Sequence, residues 1–277
     1  MAYEIIEQCS IGKKDETLNE DGWIATPYYV AVIDGSTSKG TLNYGEKQSG
    51  RIAMEIIREG IKNLRPNCTI RDAANELSAK IDAYYLSHNI VKEVQDHPES
   101  RLTASVAIYS VERREVWQIG DCPCMIDHLT YENPKYWELP LAQARALYIE
   151  KELADGKTIH ELQKKDTGRD YILPLLRFSM IYQNNEEQNT YGYGVLDGFP
   201  IANRFLRRIS AAGAHQIILS TDGYPKLFPT LNLSEQYYKE IIEEDPLCIR
   251  RHKMTKGRMM ETHGFDDRTY IRLLLDK

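Results

Sequence analysis

The stretch that most constrains this chain is Tyr28 to Ser38, YYVAVIDGSTS, an apolar run that stops at an acid and a glycine. β-Branched and aromatic residues bounded by a Gly/Ser/Thr cluster predict a buried strand. Asp34 then stands at the strand's end, where a carboxylate against an apolar flank needs a cation or several donors. Gly35 allows a sharp turn and leaves its carbonyl open to a ligand. Taken alone, such a string reads more readily as a strand that runs into an Asx-type turn.

Three more stretches repeat the arrangement. Glu115 to Ile119 runs into Gly120-Asp121, His215 to Ser220 runs into Thr221-Asp222-Gly223, and Asp266-Asp267 precedes the strand Tyr270 to Leu275. Glu20-Asp21 lies just before another strand start, Gly22-Trp23. If these ends converge, so many carboxylates cannot all stay ionised in a dry cleft without cations. The motifs contain no accompanying histidine, and their donors are all oxygens, so hard ions such as Mg²⁺ or Mn²⁺ fit better than Zn²⁺. Two such ions, roughly 3.5 to 4 Å apart, could share one carboxylate.

The remaining pattern predicts a mixed α and β chain. Tyr3 to Cys9 is an opening strand, and Asn43 to Leu64 and Thr69 to Val94 are amphipathic helices that pack over a sheet. Leu102 to Ser110, Glu115 to Ile119 and Met125 to Leu129 are successive strands. Arg207 to Ala211 and His215 to Ser220 form a hairpin through Gly213, and a helix follows, capped by Ser234 and ending at Glu244. Between Pro140 and Thr190 lies a mainly helical insertion interrupted by Gly156, Gly168 and Pro174, the kind of segment that serves as a lid, a platform or a protein-partner surface. The 277 residues are expected to form one domain.

Composition removes several function classes. A formal charge of -6, with no basic stripe, argues against nucleic-acid binding. No stretch approaches membrane-spanning length, and the N-terminus lacks a signal-peptide pattern. Five cysteines, odd in number and not at zinc-knuckle spacing, suit free thiols in a reducing cytoplasm. Cys122 and Cys124 lie near the expected site but carry no mark of an activated thiolate.

Taken in order, NEDGW, VAVIDGSTS, LTASVAIYS, VWQIGDCPC, IILSTDGY and FDDRTYIRL resemble the metal-dependent PP2C-type (PPM) serine/threonine protein phosphatases. The resemblance spans the chain outside the 140–190 segment. It implies an α+β fold, a four-layer α-β-β-α sandwich of two antiparallel sheets between helices. It further implies hydrolysis of phosphoserine or phosphothreonine in proteins by a hydroxide bridging two Mg²⁺ or Mn²⁺ ions, with a third, weaker ion in related bacterial enzymes.

Residue by residue, the resemblance makes Asp34 the carboxylate that bridges both metals, with the Gly35 carbonyl on one of them. Glu20 holds that ion directly or through water, with Asp21 beside it. Asp222 and Asp266 go to the other ion, and Asp121 to the third. Asp34 and Asp222 are thus the catalytic candidates. Thr103 and Thr269 occupy structural strand positions. This chain departs from the pattern in Glu16, where bacterial relatives place a phosphate-gripping arginine, in Ser36-Thr37-Ser38 after the Asp-Gly, and in Asp267, where the family has asparagine. Lys13 and Lys14 are the candidate phosphate ligands in the arginine's stead, although a lysine lacks the bidentate grip. Two alternatives follow from these departures: a regulatory or binding module of the same fold with weak or no turnover, and a phosphatase for small metabolites.

Overall fold

The computed structural model describes residues 3–185, 187 and 190–276. Residues 1 and 2 of the opening segment, and 186, 188 and 189 of the 140–190 segment, lie outside the described residues. The strands are β1 (Tyr3–Ile11), β2 (Asp21–Ala25), β3 (Tyr29–Ser36), β4 (Thr103–Ser110), β5 (Glu115–Ile119), β6 (Cys124–Ile126), β7 (Leu129–Tyr131), β8 (Arg207–Ser210), β9 (Gln216–Ser220) and β10 (Arg268–Leu275). The helices are α1 (Ser49–Lys62), α2 (Ile70–Ser87), α3 (Val91–Asp96), α4 (Glu138–Ala154), α5 (Ile159–Lys164), α6 (Thr167–Phe178) and α7 (Leu231–Glu244).

Two antiparallel sheets carry the fold, one ordered β1-β10-β9-β6-β7 and the other β2-β3-β4-β5-β8. Period-two alternation along β3 assigns its side chains to two cores. Ala31 and Ile33 pack with Val106, Trp117 and Ile119 beneath Ile52, Ile57, Leu77 and Ile81 of α1 and α2. Val30 and Val32 face the other way, against Ile217, Leu219, Ile271 and Leu273 of the second sheet. The far face of that sheet, through Ile218 and Tyr270, packs on Tyr238, Ile241 and Ile242 of α7. The order is therefore helices, sheet, sheet, helix, the four-layer α-β-β-α sandwich expected from the motifs. Because Asp34 continues the Val30-Val32 side of β3, its carboxylate belongs to the inter-sheet layer, at the edge where apolar filling stops.

Several local expectations are corrected. β8 and β9 are not a hairpin: β8 pairs with β5, and β9 pairs with β10 and β6. The tight turn at Ala211–Ala214, with Gly213 at φ +77°, carries the chain from one sheet to the other, and Ile209 of β8 and Ile217 of β9 are both buried in the core between the sheets. The helix expected to reach Val94 stops at Ser87, because Asn89 turns left-handed (φ 56°) and the Ile90 amide bonds back to the Tyr85 carbonyl, a helix stop in the manner of a Schellman motif. Met125 to Leu129 is split between β6 and β7, which pair as a hairpin across Asp127, itself at φ 52°. Thr230, not Ser234, caps α7 by accepting from the Leu233 amide, and Ser234 is buried in its first turn. Gly156, at φ +98°, follows the end of α4, whereas Pro174 lies inside α6 at an exposed position.

One close approach positions the site. A Cβ on Gly35 would stand 2.0 Å from the Gly50 carbonyl oxygen, and one on Gly50 would stand 2.4 Å from Glu20 Oε1. The first turn of α1 is thereby pressed against the end of β3. Gly35→Ala should lower stability by about 1–3 kcal/mol, the cost of overpacking where backbone is the obstacle. An unchanged thermal melting midpoint would contradict this tight fit.

Candidate metal centre

Asp34, Asp121 and Asp222 come together: each offers a carboxylate oxygen, and these oxygens all lie within 4.8 Å of one another. Three strand ends bring them there. Asp34 is in β3, Asp121 follows β5 and Asp222 follows β9, so both sheets contribute. Asp34 pairs across strands with Asp21 on one side and Ser105 on the other. Ser105, which sequence reasoning did not single out, donates its hydroxyl to Asp121 Oδ1 at 2.6 Å.

The three acids differ in charge balance. Asp121 is opposed by Lys135, whose Nζ stands 2.5 Å from Oδ2. Burial would raise the Asp121 pKa, but the Lys135 ammonium and the Ser105 hydroxyl hold it below the usual carboxylate value. Asp34 and Asp222 have no ion pair or side-chain hydrogen bond among the described residues. Burial pushes Asp34 well above the carboxylate range, and Asp21, Asp121 and Asp266 push the same way. Burial, with Asp34 and Asp121, does the same to Asp222. Two such carboxylates in one cleft are the arrangement a cation relieves.

The other sequence candidates form a second cluster around Lys13. Its Nζ lies 3.1 Å from Asp267, 3.6 Å from Asp266 and 3.9 Å from Glu20. Burial acts against its charge, but Asp266, Asp267 and Glu20 raise its pKa above the ordinary lysine value. Lys13 is thus engaged with acids and is not a free phosphate ligand, while Lys14 points to the surface and pairs with Glu261 at 2.5 Å. Glu20 accepts from the Gly50 amide at 3.0 Å through Oε1 and from the Thr37 hydroxyl at 2.5 Å through Oε2. Asp266 also pairs with Lys256, and these two lysines outweigh burial to keep its pKa low. Asp21 is buried and accepts from the Thr221 hydroxyl at 2.5 Å. Burial pushes its pKa well up.

Both clusters open into one cleft of about 660 Å³, which Lys135, Lys39, Arg169 and Lys256 also line. No local pattern marks these four, because they lie on loops and helices outside the acid-ended strands. All five cysteines are free, and burial pushes the Cys122 thiol well above its ordinary range, so no thiolate is poised there. No helix among the described residues is long and apolar enough to cross a membrane.

No family model and no curated protein matches the sequence. Solved structures do. The serine/threonine phosphatase PstP/Ppp of Mycobacterium tuberculosis is 14% identical, with 100% of both chains covered and a TM-score of 0.47. The catalytic domain of PstP in complex with two manganese ions is 13% identical, with 99% of each chain covered and a TM-score of 0.48. Serine/threonine phosphatase Stp1 of Staphylococcus aureus is 11% identical, with 99% of this chain and 96% of that one covered and a TM-score of 0.48. The chain is thus similar along its whole length, at low identity, to bacterial serine/threonine phosphatases, the group its motifs resemble.

Proposed function

We propose that this chain is a divalent-metal-dependent phosphomonoester hydrolase acting on phosphoserine or phosphothreonine in proteins. The observation that carries this reading is the pair Asp34 and Asp222, two carboxylates with no ion pair or side-chain hydrogen bond among the described residues, each with an oxygen within 4.8 Å of one of Asp121. An all-oxygen donor set fits Mg²⁺ or Mn²⁺. Asp34, Asp222 and Asp121 would hold the metal, with the Gly35 carbonyl and Asp266 within the same cleft. When bound, such an ion polarises phosphoryl oxygens and lowers the pKa of water.

The chain's own residues do the rest. Lys135 and Ser105 keep Asp121 ionised and oriented. The Gly50 amide and Thr37 hydroxyl fix Glu20, which anchors the first turn of α1 over β3. Lys13 and Lys256 balance Asp266, so the acid side of the cleft does not repel a phosphate as strongly as its carboxylate count implies.

With Mn²⁺, the native chain should hydrolyse p-nitrophenyl phosphate, and a chelator should stop it. Asp34→Asn and Asp222→Asn should each lose at least about 100-fold in kcat, the scale of removing one group that stabilises transition-state charge. Hydrolysis indifferent to chelator and to both substitutions would overturn the assignment.

One observation favours a second reading, a binding module of the same fold with little turnover. Lys13, Lys135 and Lys256 already neutralise Glu20, Asp121 and Asp266, the work a metal would do. That reading requires calorimetry to find no divalent-ion binding at micromolar protein and millimolar metal.

A further inference from the structure

Two cations in the cleft, Lys39 and Arg169, make no ion pair among the described residues. Lys39 follows β3, and its backbone is fixed on both sides. Its amide and that of Gly40 each donate to the Glu99 carbonyl at 2.8 Å, and the Arg177 guanidinium donates to the Lys39 carbonyl at 2.9 Å. Its ammonium reaches no carboxylate among the described residues, and its nearest acceptor is the Thr37 carbonyl at 3.4 Å. Arg169, on α6, donates to the Thr255 carbonyl at 2.9 Å and likewise pairs with no carboxylate among the described residues. Both side chains line the cleft that holds the acidic triad.

Lys39 sits among like charges, whereas Asp166 and Asp266 act on Arg169. Burial, then Arg169, Lys135 and Lys256, bring the Lys39 pKa down to about 8. Lys135 and Lys256 have their own acids, Asp121 and Asp266. Asp166 and Asp266 are in turn ion-paired, with Arg145 and with Lys13 and Lys256, so Lys39 and Arg169 are left as cleft cations without an ion pair among the described residues. A partly buried cation without a counter-ion is costly, and an arriving anion removes that cost. Neither cation pairs with an acid of the triad among the described residues: Lys39 lies on the loop after β3 and Arg169 on α6, and the triad's ion pair is made by Lys135.

We propose that Lys39 and Arg169 form an anion subsite beside the acidic triad, which takes a second anionic group of the substrate, a carboxylate or phosphate flanking the phosphorylated residue of a peptide. The location of the reacting phosphoryl group rests on the hydrolase reading above. The cation pair itself does not. Arg169 comes from the 140–190 segment and Lys39 from the loop after β3, so the subsite gives that segment a part in substrate choice.

The test uses two phosphothreonine peptides that differ only in having glutamates or glutamines beside the phosphorylated residue. With Mn²⁺, the native chain should favour the acidic peptide in kcat/KM by about tenfold, the scale of one charge-assisted contact. Lys39→Gln and Arg169→Gln should each reduce that preference to about twofold or less, and Lys39→Arg should retain it. Affinities for the same peptides, measured by calorimetry in an Asp34→Asn background, give the same ratio without turnover. Equal treatment of the two peptides by the native chain in both assays, or a preference that survives Lys39→Gln, overturns the subsite. Discrimination in binding without hydrolysis of either peptide supports the subsite and overturns only the hydrolase reading. Melting midpoints identify a variant that has lost its fold, and Lys39, on a loop, keeps the test open if Arg169→Gln unfolds.

Discussion

Asp34→Asn is expected to make the metal-free protein more stable and to abolish the stabilisation that Mn²⁺ gives the native chain. Asp34 is a carboxylate with no ion pair or side-chain hydrogen bond among the described residues, pushed up by burial and by neighbouring acids. An amide of the same shape removes the charge, which should be worth about 1–3 kcal/mol. Each kcal/mol moves the melting midpoint by roughly 2–4 °C in a chain of about this size. The sign with pH follows from the raised pKa. Between the ordinary aspartate value and the raised one, the folded state holds the proton more tightly than the unfolded state, so native stability falls as pH rises through that window. The advantage of Asp34→Asn should therefore be large at neutral pH and vanish below about pH 4, where both states are protonated. Metal acts in the opposite direction: Mn²⁺ at a hundredfold excess over its Kd should stabilise the native chain by about 2.7 kcal/mol and Asp34→Asn far less. Scanning calorimetry at several pH values, with and without Mn²⁺, reads both effects. A native midpoint unmoved by metal, or a substitution that destabilises the metal-free chain, would contradict the account of the site.

Arg145→Ala is expected to cost about 3–5 kcal/mol, the price of breaking a buried ion pair and leaving its partner unmatched. Arg145 on α4 is 1% exposed. Its guanidinium meets Asp166 at 2.7 Å and donates to the carbonyls of Leu247 and Met254 at 2.9 and 3.2 Å. Asp166 also caps α6 by accepting from the Arg169 amide. One side chain thus joins α4 and α6 to the 247–254 loop, and Ile149 and Leu162 pack with Leu247 and Ile249 beside it. The helices between 138 and 178 are accordingly a fixed wall of the cleft, and the residues that carry Arg169 and Lys256 are tied to one another. Loss of Arg145 should lower the melting midpoint by roughly 6–20 °C. Hydrogen exchange should quicken in α4, α6 and the 247–254 loop before it does in β3 or β9. Uniform quickening throughout would mean that Arg145 supports the whole sandwich and not this joint.

Much of the sandwich was legible because strand pattern is local. β3 alternates between two cores, and that alternation is visible in the residues themselves. The acid that ends it was legible for the same reason. The pairing of strands was not: Arg207–Ser210 and Gln216–Ser220 look like neighbours in sequence, yet they lie in different sheets, because the strands they hydrogen-bond to, β5 for one and β10 and β6 for the other, come from distant parts of the chain. The break at Asn89 was missed because the apolar spacing continues through it, while a single left-handed residue ends the helix.

The sequence by itself determined that several apolar strands end in acids, and hence that hard-cation chemistry was the reading to test. Only the tertiary structure decided which acids share a site. It placed Asp34, Asp121 and Asp222 together and gave Asp266, Asp267 and Glu20 a lysine, because charge balance depends on side chains up to 254 residues apart in the chain, as Lys13 and Asp267 are. It also placed Lys39 and Arg169 in the same cleft, from a loop and a helix that carry no motif. Periodicity is written along the chain, but the field inside a cleft is the sum of groups that meet only after folding.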